Sequence, residues 1–298
     1  MHRKLLSTCV ALATVSLLVG SADATTPVKI IDTKADESHP SVADGWQAWS
    51  ANTPAHRKAL NGYVRPTGGP IRGIPVKGHV RVGNVVTDGP HAGQVVLWTD
   101  AGGNGNIRFY DLSTANVSTA SPKVNTAKWE EAPSVSGDYL AFTRYAGGSW
   151  NLMLYRFSTG VLVKIVSGGV FEPQVNGDFV AFSRCLSANG ASCKVVYRYT
   201  ISTAQLKKMP APAAGRANYY AAVSSDGTTY WVEGSATKCG IKVRLRQWNG
   251  GTLSTLWAAP GGVEIAHLQA DILTGMPVLA FTRYVCSSTR TGVYRLNL

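Results

Sequence analysis

The sequence predicts an all-β fold of repeated four-stranded sheets, and three observations carry that prediction. The first is a recurring phrase. Residues 132–145 read APSVSGDYLAFTRY and residues 172–184 read EPQVNGDFVAFSR. Looser copies stand at 39–50, 221–233 and 267–284, and a degenerate one at 85–100. Each is an apolar stretch, a Gly/Asp turn and a second apolar stretch, which is the pattern of a β-hairpin. The second observation is that every copy is followed by another strand-like segment, such as LMLYRFSTG at 152–160 or VVYRYTIST at 195–203. The third is the spacing. With Ala48, Leu97, Ala141, Ala181, Trp231 and Ala280 taken as equivalent, the steps run from 40 to 50 residues. Self-similarity at that period marks propellers and related arrays.

Taken in order, the chain opens with a targeting segment. Arg3 and Lys4 precede an apolar run at 9–20, and Ala22-Asp23-Ala24 is a small-x-small cleavage site. Residues 1–24 therefore read as a removable signal peptide, and the mature chain is expected to start near Thr25 and to be exported. That run is too short to span a bilayer, and no later segment approaches about 18 apolar residues. Residues 25–298 then form one domain of six units. Each has a hairpin, a third strand and, in most cases, a fourth, as at Val161 to Val166 and Gln205 to Met209. The last unit stops at Leu298 after its third strand. Pro27-Val28-Lys29-Ile30-Ile31 resembles the fourth strand Leu162-Val163-Lys164-Ile165-Val166. The expectation is a six-bladed β-propeller whose last blade is completed by the N-terminal strand, which hides two open edges.

The phrase aPsvSGDyLAFtR, followed by a strand ending in YRFSTG, resembles the PD40/TolB-like β-propeller repeat. The similarity runs over the whole mature chain and is strongest over residues 129–209. It implies the fold. It does not imply an activity, because propellers are scaffolds for many unrelated functions. The hydrolase elbow G-x-S-x-G, which serves enzymes with propellers of a similar class, does not occur in the sequence.

Composition narrows the setting. Without the leader, 27 Lys+Arg against 16 Asp+Glu leave a net charge of +11. An exported protein of that charge is suited to anionic polymers. It contains no run of five or more basic residues, so nucleic acid is not the expected partner. Four cysteines remain after export, which allows three disulfide connectivities. Their place in the repeat selects Cys185 with Cys193, bracketing one loop, and Cys239 with Cys286, in equivalent loops of the next two blades. No C-x-x-C pair is present to suggest a structural metal.

Candidate site residues follow from the repeat. The first strand of a blade lines the channel, and the residues three positions before Val42, Val135, Val175, Val223 and Ala270 are His39, Ala132, Glu172, Tyr220 and His267. Glu131 stands beside Ala132, and the second blade contributes Gly83. Two imidazoles and a carboxylate, His39, Glu172 and His267, are a donor set for a divalent metal or an acid–base pair. Equally, polar residues gather at a propeller mouth whatever its function. Arg144, Arg184 and Arg283 end successive second strands and offer either an anion-binding ring or pairing partners for carboxylates, such as Arg144 with Glu172. Trp150 lies in a Gly-rich loop and Trp129 before a first strand, and both are expected at the mouth, where aromatics beside polar groups suit sugars or peptides. The leading expectation is a secreted binding module for an envelope polymer, glycan or protein. The alternative is a metal-assisted polysaccharide hydrolase or lyase. No cofactor is expected other than that possible divalent ion.

Overall fold

The computed structural model describes residues 26–33, 35–52, 60–101, 103–185, 193–235, 242–273, 276–286 and 291–298. The leader, residues 1–24, and Cys239 lie outside them. Strand β1 (Val28–Ile31) is followed by blade 1, made of β2 (Asp36–Ala43), β3 (Trp46–Asn52), β4 (Asn61–Pro66) and β5 (Arg72–Gly73). Blade 2 is β6 (His79–Val86), β7 (Gln94–Asp100), β8 (Gly105–Asp111) and β9 (Val117–Thr119). Blade 3 is β10 (Glu130–Ser136), β11 (Tyr139–Ala146), β12 (Ser149–Arg156) and β13 (Val161–Val166). Blade 4 is β14 (Val170–Asn176), β15 (Phe179–Cys185), β16 (Cys193–Thr200) and β17 (Gln205–Lys208). Blade 5 is β18 (Ala217–Val223), β19 (Thr229–Gly234), β20 (Arg244–Asn249) and β21 (Thr252–Ala258). Blade 6 is β22 (Val263–Leu273), β23 (Met276–Val285) and β24 (Thr291–Asn297), with β1 as its outer strand. The fold is a six-bladed β-propeller. β1 pairs antiparallel with β24, placing Val28 opposite Arg295 and Ile31 opposite Val293.

Second strands read as unbroken apolar runs because neighbouring blades cover both of their faces. Leu140, Ala141 and Phe142 are wholly buried, as are Val180, Ala181 and Phe182, and Leu279, Ala280 and Phe281. The two halves of the repeated phrase are joined by bonds. Asp138, in the first hairpin turn of blade 3, accepts from Ser158 N at 2.7 Å and from Arg156 Nε at 2.8 Å. Asp178 accepts from Ser202 N at 2.8 Å in blade 4. The Gly-Asp turn thus anchors the Ser-Thr turn that ends the third strand.

Registers in blades 2 and 5 differ from the sequence alignment. The counterpart of Ala48 is Val95, opposite Val85, not Leu97, and Tyr230, opposite Ala222, not Trp231. Blade 1 turns on Asp44-Gly45 alone, whereas residues 87–93 and 224–228 separate the strands of the other two hairpins. Counting through longer turns displaced the match by two residues and by one.

Polar side chains on the innermost strands stitch neighbouring blades together. Asp271 Oδ2 accepts from Ser41 Oγ at 2.9 Å and Val42 N at 3.1 Å, and Ser41 Oγ accepts from Val85 N at 2.9 Å. Asn84 Oδ1 accepts from Val135 N at 2.8 Å, and Ser134 Oγ from Val175 N at 3.1 Å. Gln174, at the position of Ser41 and Ser134, is longer and does something else. Its amide donates to Leu268 O, and its Oε1 accepts from Ala270 N at 3.4 Å, so it spans the channel from blade 4 to blade 6.

Candidate functional site at the channel mouth

All six innermost strands break register at one equivalent point, between Ser38/Ser41, Val82/Val85, Glu131/Ser134, Phe171/Gln174, Tyr219/Ala222 and Ala266/Gln269. These are β-bulges, which re-aim the side chains they carry. The first bulged residue has left-handed backbone in five blades: His39 (φ 48), Ala132 (52), Glu172 (44), Tyr220 (51) and His267 (50). In blade 2 the position is Gly83, where an added Cβ would lie 2.1 Å from Pro133 O. The ring of residues aligned from the sequence is therefore a physical ring of bulges.

Its asymmetry shapes the mouth. Blades 2 and 3 present Gly83 and Ala132, whereas blades 1, 4, 5 and 6 present large polar side chains. The large ones gather: the imidazoles of His39 and His267 stack with centroids 3.7 Å apart, and His267 Nδ1 lies 3.2 Å from Glu172 Oε1. Tyr220 borders His267 with ring centroids at 5.3 Å. His39 Nδ1 bonds Ser38 Oγ at 3.0 Å. One potential ligand atom from each of His39, Glu172 and His267 lies within 4.8 Å of the others. Burial, with the nearby His267 and then Arg81, holds the His39 imidazole neutral well below the usual histidine range. Burial likewise raises the Tyr220 phenol, reinforced by the Glu172 carboxylate.

The small side opens into a recess of about 420 Å³, open space at its rim included, lined among others by His39, Arg81, Glu131, Thr143, Trp150 and Phe171. Arg81 packs over Trp98, 5.0 Å from its centroid, and its guanidinium pairs with the Glu131 carboxylate. Burial raises the Glu131 pKa, opposed by Arg81. Trp150 leans on Tyr145 at 5.3 Å, and Tyr145 and Phe171 are 46% and 40% exposed. An aromatic wall thus faces a polar floor.

The remaining sequence candidates stand elsewhere. Trp129 packs against Trp98 at 5.8 Å. Arg144 bonds not Glu172 but Glu130 of its own blade, at 2.7 Å, and also donates to Lys123 O and Val124 O. Arg184 donates to Gly168 O and Ser167 O, and Arg283 lies over the Tyr294 ring. These arginines contact their own blade or the connection that leads into it, and none lines the recess. Glu37 and Glu130 turn from the channel to accept from Thr33 and Thr126, bracing the approach to β2 and β10. Arg81 occupies the same register position as Glu37 and Glu130. It was not singled out from the sequence because blade 2 is the degenerate copy. Cys185 and Cys193 are direct cross-strand partners on β15 and β16. The Cys193 side chain lies outside the described residues.

Among the described residues no helix is long and apolar enough to cross a membrane. No family model and no curated protein matches the chain. Solved structures do. TolB from Acinetobacter baumannii is similar at TM-score 0.57 and 18% identity, over 85% of this chain and 64% of that one, so this chain spans under two thirds of its length. A putative TolB from Agrobacterium tumefaciens matches at TM-score 0.59 and 11% identity, over 89% and 91%. An oligogalacturonate lyase in complex with manganese matches at 0.52 and 10%, over 92% and 96%. At such identities the likeness is one of fold. Blade count, topology and neighbours together make this chain a six-bladed β-propeller with the TolB-like fold.

Proposed function

We propose that the protein is an exported binding module that holds a segment of an envelope polymer or glycan in the recess beside the channel mouth. The observation that carries the reading is the recess itself, lined by the aromatic rings of Trp150 and Phe171 and by the polar side chains of Arg81, Glu131 and His39, with Tyr145 packed behind Trp150. A sugar offers the complement of such a surface, with apolar C–H faces for aromatic rings and hydroxyls or carboxylates for polar groups. The leader-like segment at 1–24 and the mature charge of +11 agree with an acidic partner outside the cytoplasm. In that oxidising setting Cys185 pairs with Cys193 and Cys239 with Cys286. Protein starting at Thr25 is expected to bind isolated envelope polymer, and Trp150→Ala to weaken binding at least tenfold with an unchanged melting temperature. Arg184→Ala, whose partners are carbonyls of the connection between blades 3 and 4, is expected to leave affinity intact. Equal binding by wild type and Trp150→Ala would overturn the assignment.

A catalytic reading has one observation in its favour, the likeness in fold to an oligogalacturonate lyase in complex with manganese. It would place metal-assisted hydrolysis or elimination on a polysaccharide at His39, Glu172 and His267. Elimination from a uronate creates an ultraviolet-absorbing double bond. Its absence after incubation with polygalacturonate and Mn²⁺, together with no new reducing ends, would exclude this reading for that substrate.

A further inference from the structure

We infer that His39, Glu172 and His267 form a binding site for one first-row divalent transition ion, seated across the channel mouth between blades 1, 4 and 6. Three independent features point there. The donors come from three different blades, yet one ligand atom from each lies within 4.8 Å of the others. Donors on a tetrahedral ion at about 2.1 Å are about 3.4 Å apart, so side-chain rotation that moves the donor atoms by roughly an ångström brings all three within reach of one ion. The Glu172 and His267 side chains keep 20% and 21% exposure, which leaves room for that rotation and a path for the ion.

The second feature is the choice of residue. A left-handed bulge position is occupied most cheaply by Gly, Asn or Asp, and a non-glycine residue there costs on the order of 1–3 kcal/mol. Ala132, left-handed at the same ring position in blade 3, shows that the bulge forms without a polar side chain. The bulges belong to the architecture, but it does not require two histidines and a glutamate converging on one point.

The third feature is charge. Among the described residues Glu172 has no Arg or Lys partner. The nearby cation, Arg81, is taken by Glu131, and the Glu172 carboxylate meets only His267 in an ion-pair geometry. The two imidazoles stack at 3.7 Å beside the carboxylate, so one divalent ion can meet both rings and the carboxylate at once. Two nitrogen donors and one carboxylate oxygen favour Zn²⁺ or Mn²⁺ over Mg²⁺, which prefers an all-oxygen shell. The Ser38 hydroxyl at His39 Nδ1 supplies the outer contact that orients a ligating imidazole and leaves Nε2 as its free nitrogen. Three protein donors leave positions open for water or for an oxygen of a bound polymer.

The test uses untagged protein starting at Thr25, stripped with EDTA, dialysed and titrated calorimetrically with Zn²⁺ and Mn²⁺, with Mg²⁺ as control. One equivalent of Zn²⁺ or Mn²⁺ is expected to bind, and each of Glu172→Gln and His267→Ala to weaken it at least tenfold. His91→Ala, a histidine stacked on Phe109 in blade 2, is expected to bind like wild type. No saturable binding of either ion, or equal binding by wild type and Glu172→Gln, would overturn the site. Glu172→Gln preserves shape, so it remains informative if His267→Ala melts early. The ion site does not depend on the proposed ligand. Ion binding with no polymer binding would refute the recess assignment alone, and polymer binding with no ion binding would refute the ion site alone.

Discussion

Single residues decide the character of the mouth. Gly83 is the position where backbone approaches backbone, and Gly83→Ala would drive a methyl group against Pro133 O. A loss of about 1–3 kcal/mol is expected, read as a lower denaturation midpoint, and an unchanged midpoint would show that β10 yields easily. Asp271 makes a pH-dependent contribution. Burial raises its carboxyl to about 6 from the ordinary 3.8, only partly offset by donation from Val42 N and Ser41 Oγ. The folded state therefore holds this proton more tightly than the unfolded chain. The stability it brings is complete below about pH 4 and lost as pH rises through about 6, amounting to as much as about 3 kcal/mol. Asn cannot ionise, so the melting temperature of wild type relative to Asp271→Asn should rise from pH 8 to pH 5. Parallel curves would refute the shift. Comparing the two proteins cancels the opposing effect of His39, whose neutral form is favoured on folding. His39, Glu172, Tyr220 and His267 were legible in the sequence because the repeat carries the bulge in register. Arg81 was not, because its register position holds a glutamate in blades 1 and 3 and the blade 2 copy is worn.

At the scale of strands, the hairpin phrase was legible because its Gly-Asp turn does two jobs, turning the chain and tethering the end of the third strand through Asp138 or Asp178. Blades 2 and 5 were less legible because their longer turns disturb the count without disturbing the ladder. The weakest-looking strand has the widest reach. β1 has only four residues, yet Ile31 is 2% exposed and packs with Trp49 of blade 1 and Val293 of blade 6. Arg65 Nη2 of blade 1 donates to Ile30 O at 2.5 Å. Deleting residues 26–31 would uncover β24 and part of this cluster. The expected outcome is one cooperative transition at much lower temperature. A variant that melts like wild type would show that blade 6 holds its place without β1.

At the scale of the molecule, blade number and ring were legible from six repeats, while the state of the channel was not. Gln174 replaces the short hydroxyl of Ser41 and Ser134 with a longer carboxamide, and no pattern in the chain announces that it reaches Leu268. The chain also carries a formal net charge of +12, and co-sedimentation with envelope fractions separates two origins of attachment. Retention that persists at high salt is expected from the aromatic recess, whereas retention abolished by salt would assign the attraction to charge alone. The pairing of β1 with β24 also governs timing. β1 precedes every blade in the sequence, and its partner β24 follows every other strand. β1 must stay unpaired while five blades form beside it. A chain stopped anywhere before Thr291 has no partner for β1, so such a product displays raw strand edges to proteases and chaperones until β24 has been made.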